Sequence, residues 1–133
     1  MASRNLLDLD PEVAILARKM LDKCKISGID IIITCTYRSN EEQQIEYDKG
    51  RKNTLRKTTN AKPGESLHNI TANNKPASRA FDVVPMVNGK CVWNNEDPLW
   101  QQVGIIGKSL GLEWAGDFKT FKEYPHFQLP IKK

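Results

Sequence analysis

The sequence is short of histidine and cysteine and has no long apolar run, and each shortage narrows what it can be. Only 2 of its 133 residues are histidine, His68 and His126, so any imidazole chemistry must use one or both. No stretch reaches the roughly 18 consecutive apolar residues that read as a membrane span. The segment Met1 to Asp10 lacks the apolar core of a signal peptide, so none is expected, and the chain is expected to be held first in the cytoplasm. The 3 cysteines, Cys24, Cys35 and Cys91, are widely spaced and form no Cys-x-x-Cys pair. That excludes a zinc knuckle or a redox motif and predicts three reduced thiols, two of them in apolar surroundings. Internal repeats and low-complexity segments are absent as well.

What is present is ordinary for a globular protein, with 39% hydrophobic and 27% charged residues. The length fits a single domain over 1–133, long enough to bury a core without disulfides. Lysine and arginine outnumber aspartate and glutamate by 20 to 16, a net charge of +4. A mild positive balance is compatible with a solvated basic face, a nucleic acid or an anionic cell wall. No nucleic-acid-binding motif appears, and no such partner is expected.

The local patterns alternate between helical and strand-like. Val13, Leu16, Ala17, Met20 and Leu21 recur at helical spacing over Pro11 to Ile26, behind an Asp10 N-cap and a proline at the first helical position. Gly28 ends that helix, and Ile29 to Thr36 is β-branched and apolar, a buried strand. Ser39 or Asn40 caps a second helix through Asp48, with Glu42 or Gln43 placed for a capping box, and Gly50 stops it. Arg51 to Lys62 reads as a basic surface loop, solvated or attracting an anionic wall, and Thr71 to Ala77 as another loop. Ala80 to Val87 is a strand, Asn88-Gly89 a hairpin turn and Lys90 to Trp93 the returning strand. Pro98 to Leu110 is helical and closed by Gly111, and Leu112 to Ala115 and His126 to Leu129 are short strands. Helices flanking a small, mostly antiparallel sheet make an α+β fold.

The chemistry-bearing residues cluster around the two histidines. His68 lies in Ser66-Leu67-His68, Asp82 lies in a strand, and His126 follows Glu123 by 3 positions. Two imidazoles and a carboxylate form a common catalytic zinc set that leaves one tetrahedral position for water. A further carboxylate near that water can serve as general base. Spacing alone leaves open the alternative of two partly buried histidines beside solvated acids.

Several segments resemble the VanY-like zinc D-alanyl-D-alanine peptidase family, including its phage endolysin group that cuts L-alanyl-D-glutamate bonds. They are Thr34-Cys35-Thr36-Tyr37-Arg38-Ser39, then Gln43, Gln44, Tyr47, Gly50 and Arg51, then Ser66-x-His68 and Ala80-x-Asp82. Glu113 to Phe118 and Glu123-Tyr124-Pro125-His126-Phe127 complete the match. The resemblance implies a hedgehog/DD-peptidase-like fold, with Zn2+ held by His68, Asp82 and His126 and Glu123 as general base. It implies Arg38 as the group that steadies the developing oxyanion, Ser66 as a substrate-holding residue, and Trp114 and Asp117 as residues lining or bracing the cleft. The separation of His68 and Asp82 is 82 − 68 = 14 residues, where the family places 7. The extra residues, about Asn69 to Pro76, can bulge outward at little entropic cost, and Asp117 is the fallback ligand.

The implied activity is hydrolysis of a peptidoglycan stem peptide by a monomer. The chain would wait in the host cytoplasm until lysis and then act on the cell wall. A D-alanyl-D-alanine carboxypeptidase or dipeptidase of the same chemistry, and a non-catalytic zinc-binding module, remain the alternatives.

Overall fold

The structure, a computed structural model, describes residues 2–131. Helix α1 spans Pro11–Ile26, α2 spans Asn40–Asp48 and α3 spans Pro98–Ser109. The strands are β1 Asp30–Cys35, β2 Thr71–Ala72, β3 Lys75–Pro76, β4 Ala80–Val87, β5 Lys90–Cys91, β6 Glu113–Trp114 and β7 His126–Gln128. Short 3-10 turns lie at Leu6–Asp8, Leu67–Asn69 and Ala115–Asp117. The expected α+β architecture is what forms.

The helix starts follow their capping residues. The Asp10 carboxylate accepts from the Glu12 amide ahead of Pro11, and the Asp97 carboxylate accepts from the Leu99 amide ahead of Pro98. At α2 the cap is Ser39, with Glu42 closing the box by accepting from the Ser39 amide. Each device satisfies amides that the first helical turn leaves without a partner.

The main sheet runs β1-β4-β7-β6 with β5 also on β4, and every pairing in it is antiparallel. Strand alternation divides its residues between two faces. Phe81, Phe127 and Trp114 point one way, and the ring of Phe127 stacks on both others. They join Val13, Ala17 and Met20 of α1 and Trp100 and Val103 of α3 in the buried core. The other face carries Asp82, His126 and Gln128. Helices α1 and α3 therefore cover one face, and the site occupies the opposite one, where α2 contributes to it.

Three expectations change. The strand expected to be buried over Ile29 to Thr36 forms as β1 at the edge of the sheet, with Asp30 and Ile32 exposed. The segment expected as a loop from Thr71 to Ala77 contains a small hairpin of its own, β2 paired with β3, with Asn73 and Asn74 at φ 53° and 62°. Asparagine tolerates this left-handed region better than most residues, and two such residues in succession form the turn that matches strand twist. The returning strand after Asn88-Gly89 is shorter than expected and ends at Cys91. Cys24 and Cys35 are buried, Cys91 is exposed, and all three thiols are free.

Candidate active site

Three elements bring the predicted ligands together. Asp82 and His126 are directly paired across β4 and β7, and Cys35 of β1 pairs with Asp82 on its other side. His68 arrives on the 3-10 turn, whose start is held by the Ser66 hydroxyl accepting from the His68 amide. The β2–β3 hairpin lies between His68 and Asp82 in the chain and absorbs the extra length without separating them.

The facing atoms form a nearly equilateral triangle. His68 Nε2 is 3.1 Å from Asp82 Oδ1, His126 Nδ1 is 3.2 Å from the same oxygen, and the two nitrogens are 3.2 Å apart. The outer nitrogen of each imidazole is engaged elsewhere. His68 Nδ1 lies 2.8 Å from the Thr36 carbonyl, and His126 Nε2 lies 2.7 Å from Gln128 Oε1. The orientation of that amide is set by its other end, which donates to Glu113 Oε1 at 2.9 Å. Both acceptors call for a proton on the outer nitrogen, which assigns the tautomers. Each inner nitrogen then presents a lone pair.

Three lone-pair acceptors in mutual contact, two on buried imidazoles, repel unless a cation lies between them. Tetrahedral zinc with bonds of about 2.0–2.1 Å sets its ligand atoms about 3.3 Å apart, close to the spacing found. The donor set and its outer hydrogen bonds therefore fit a zinc ion with one open position. In the metal-free protein, where a proton on an inner nitrogen takes the place of the cation, burial alone would raise the Asp82 carboxyl, but the facing imidazoles hold it well below the ordinary range. Burial lowers His68. It would lower His126 too, but the Asp82 carboxylate outweighs it and raises that imidazole.

Cys35 also lies within 4.8 Å of ligand atoms of His68 and Asp82. Its sulfur is 3.7 Å from His68 Nδ1, the nitrogen turned away from the triangle. Burial pushes its thiol up to about 12, leaving it neutral. His126 is the better third donor.

Glu123 and Arg38 flank the triangle and line both adjoining clefts, of about 450 and 330 Å3. Burial raises the Glu123 carboxyl to about 7. Arg38 is held by Gln43 Oε1 at 3.0 Å and lies 3.6 Å from Asp82 Oδ2. Gln43 is fully buried and its amide also donates to the Ala61 carbonyl. It is a positioning residue for Arg38, whereas the sequence offered it a role only as an alternative to Glu42 in the α2 capping box.

Ser66 lines the smaller cleft while its hydroxyl caps the turn of His68. Trp114 and Asp117 are not where a substrate contact requires them. Trp114 is 1% exposed, donates from Nε1 to the Tyr124 carbonyl and lines neither cleft. It braces the segment that carries Glu123, because its place on β6 turns it to the core face. Asp117 pairs with Lys108 at 2.8 Å on the surface, lines neither cleft and is not the fallback ligand. Gln128 was missed, although its position two residues after His126 on a strand puts both on one face.

Two family models described as D-alanyl-D-alanine carboxypeptidase match residues 6–76 and 59–129. The peptidoglycan L-alanyl-D-glutamate endopeptidase CwlK of Bacillus subtilis (strain 168) is 35% identical over 130 residues, covering 92% of this chain and 74% of the relative. The L-alanyl-D-glutamate peptidase of Listeria phage A118 is 32% identical over 118 residues, covering 87% of this chain. The chain spans only 36% of the phage protein's length. Among solved structures, the Serratia marcescens L-Ala D-Glu endopeptidase ChiX matches with a TM-score of 0.66 and 27% identity, covering 98% of this chain and 89% of that one. The vancomycin resistance D,D-pentapeptidase VanY, solved with Zn(II), shares the fold at a TM-score of 0.63 and 19% identity, covering 90% of this chain and 71% of that one. Motifs, fold and matched models together identify the chain as a member of the VanY-type D-alanyl-D-alanine carboxypeptidase family, and as a peptidase.

Proposed function

We propose that the chain is a zinc-dependent peptidoglycan endopeptidase that hydrolyses the L-alanyl-D-glutamate bond of the stem peptide. The observation that carries this reading is the triangle of His68, Asp82 and His126 beside a half-buried carboxylate raised toward neutrality. The relatives named for this bond supply the substrate.

His68 Nε2, His126 Nδ1 and Asp82 Oδ1 would hold the ion. Bound zinc would supply Lewis acidity that makes water more acidic and the peptide carbonyl more electrophilic. The Glu123 carboxylate takes a proton from the attacking water and afterwards delivers it to the leaving amine. A pKa near the working pH suits both halves of that task. The Arg38 guanidinium, held by Gln43, faces the developing oxyanion with charge already in place. Ser66 supports the site by fixing the turn of His68 and lines the smaller cleft.

The two clefts share Arg38, Phe121, Glu123 and His126 and differ in the rest of their lining. Two clefts that meet at the reacting centre suit cleavage within a chain better than removal of a terminal residue. We further propose a lytic setting of the phage type, supported by the phage A118 relative. No described helix is long and apolar enough to cross a membrane.

Mass spectrometry of muropeptides after digestion of purified peptidoglycan tests the bond. New N-terminal D-glutamate is expected. Release of free D-alanine instead would establish a carboxypeptidase. Loss of turbidity when the protein is added to permeabilised bacterial cells tests the lytic role.

A further inference from the structure

The two clefts differ in charge. Beyond the shared Arg38, the larger one is lined by Arg56, Lys57 and Lys122 and the smaller one by no further cation. The carboxylates of the larger cleft are already engaged. Asp82 belongs to the triangle and Glu123 is the proposed base, while Glu46 takes the Lys49 ammonium at 2.9 Å and the Thr58 hydroxyl at 2.6 Å. Arg56 and Lys57 have no carboxylate within ion-pair distance among the described residues. Among the described residues, Lys122 donates only to the Gly116 carbonyl, at 3.2 Å.

The loop that presents Arg56 and Lys57 is fastened rather than loose. The Arg51 guanidinium donates to the carbonyls of Tyr47 and Thr59 and to Asn60 Oδ1, and lies 3.8 Å above the Tyr47 ring. Gly50, at φ 76°, leaves room for the Lys57 stem, since a Cβ there would lie 2.6 Å from Lys57 Cγ. Trp93, 57% exposed, gives the same cleft an apolar wall.

We propose that Arg56, Lys57 and Lys122 form an anion subsite for a free carboxylate on the C-terminal side of the scissile bond, and so fix the direction in which the peptide crosses the site. The inference rests on the endopeptidase reading. In an L-alanyl-D-glutamate bond the glutamate stands on the leaving side, and whichever of its two carboxyls joins the rest of the chain, the other is free. The alanyl side carries no acid of its own. The cationic cleft therefore takes the glutamyl half and the smaller cleft the alanyl half. Charge-assisted contacts of this kind discriminate an acid from its neutral amide, which offers the same shape without the charge.

The test compares two synthetic peptides with the zinc-loaded protein, one with the free glutamate carboxylate and one with that group as the primary amide. The acid is expected to be cut with a kcat/KM about tenfold or more above the amide. In the double variant R56Q/K57Q, that ratio is expected to fall toward one, mainly through KM for the acid. Both residues are exposed, and an unchanged melting temperature and zinc content would certify the variant. Equal rates on the two peptides in the wild type, or an unchanged ratio in the variant, would overturn the subsite while leaving the peptidase intact. Failure of the wild type to cut either peptide would overturn the peptidase reading and the subsite with it.

Discussion

Asp82 and His126 stand directly opposite each other on adjacent antiparallel strands, and the 3.2 Å between Oδ1 and Nδ1 follows from that register. Directly opposed residues bring their Cβ atoms to about 5 Å, so short side chains from both meet without further adjustment. The sheet itself places two of the proposed ligands, and the capped turn at Ser66 brings the third.

The first prediction concerns the metal. Zinc is expected to stabilise the protein, because it binds a site assembled only in the folded state. Adding zinc to chelator-treated protein should raise the melting temperature and restore hydrolysis. Asp82→Asn keeps the size and removes the charge, and should lower zinc affinity by about 100-fold or more, beyond the usual loss from an outer-shell change. Calorimetric titration would show it, and wild-type affinity in that variant would remove Asp82 from the ligand set.

The second prediction follows the chain from His126 to Gln128 to Glu113. Gln128→Leu removes the acceptor that keeps the proton on His126 Nε2. Zinc affinity should fall about 10–100-fold, while Gln128→Glu, which retains an acceptor, should lose less. An effect of Gln128→Leu on melting temperature alone, with zinc affinity unchanged, would reduce Gln128 to a packing residue.

Particular residues show why much of this was legible in the sequence and some was not. Asp10-Pro11 and Asn88-Gly89 act through their own backbone chemistry, so the α1 start and the β4–β5 turn could be read locally. The proposed ligands His68 and His126 stood out because the chain has only 2 histidines. Asp82 was obscured by the 14-residue separation, and the separation is harmless because Asn73 and Asn74 fold the extra segment back on itself. Two-residue strands such as β2 and β3 carry too little alternation to be seen. Trp114 and Asp117 were assigned to the cleft from their motif, whereas facing is decided by strand pairing, which turns Trp114 inward onto Phe127.

The third prediction separates the base from the metal site. Glu123→Ala should bind zinc as the wild type does and lose about 10²–10⁴-fold in kcat. Full activity in that variant would sink the proposed base. The raised carboxyl also affects stability in the metal-free protein. A folded-state pKa of about 7, above the ordinary 4.5, means the folded state holds its proton longer than the unfolded state. The contribution is favourable below about 4.5 and is lost as pH rises through about 7. Relative to Glu123→Gln, which does not titrate, metal-free wild type should therefore lose melting temperature between pH 5 and pH 8. A difference independent of pH would show that Glu123 ionises at its ordinary value.

The last prediction lies on the far side of the sheet. Gly107 of α3 faces Phe127, and a Cβ there would lie 2.4 Å from Phe127 Cε2. Alanine favours a helix interior over glycine by about 1 kcal/mol, so on helix propensity alone Gly107→Ala should stabilise. Overpacking a full core costs about 1–3 kcal/mol, and the ring is fixed by stacking on both Phe81 and Trp114. The packing cost should win by about 1 kcal/mol, with a melting temperature lower by roughly 3–5 °C. Displacing Phe127 also disturbs β7, whose preceding residue is His126, so zinc affinity should fall along with stability. The exposed control Gln101→Ala, on the same helix, should change neither. A stabilised Gly107→Ala would mean that α3 can move away from the sheet, and that the backs of these strands are less tightly packed than their aromatic stack indicates.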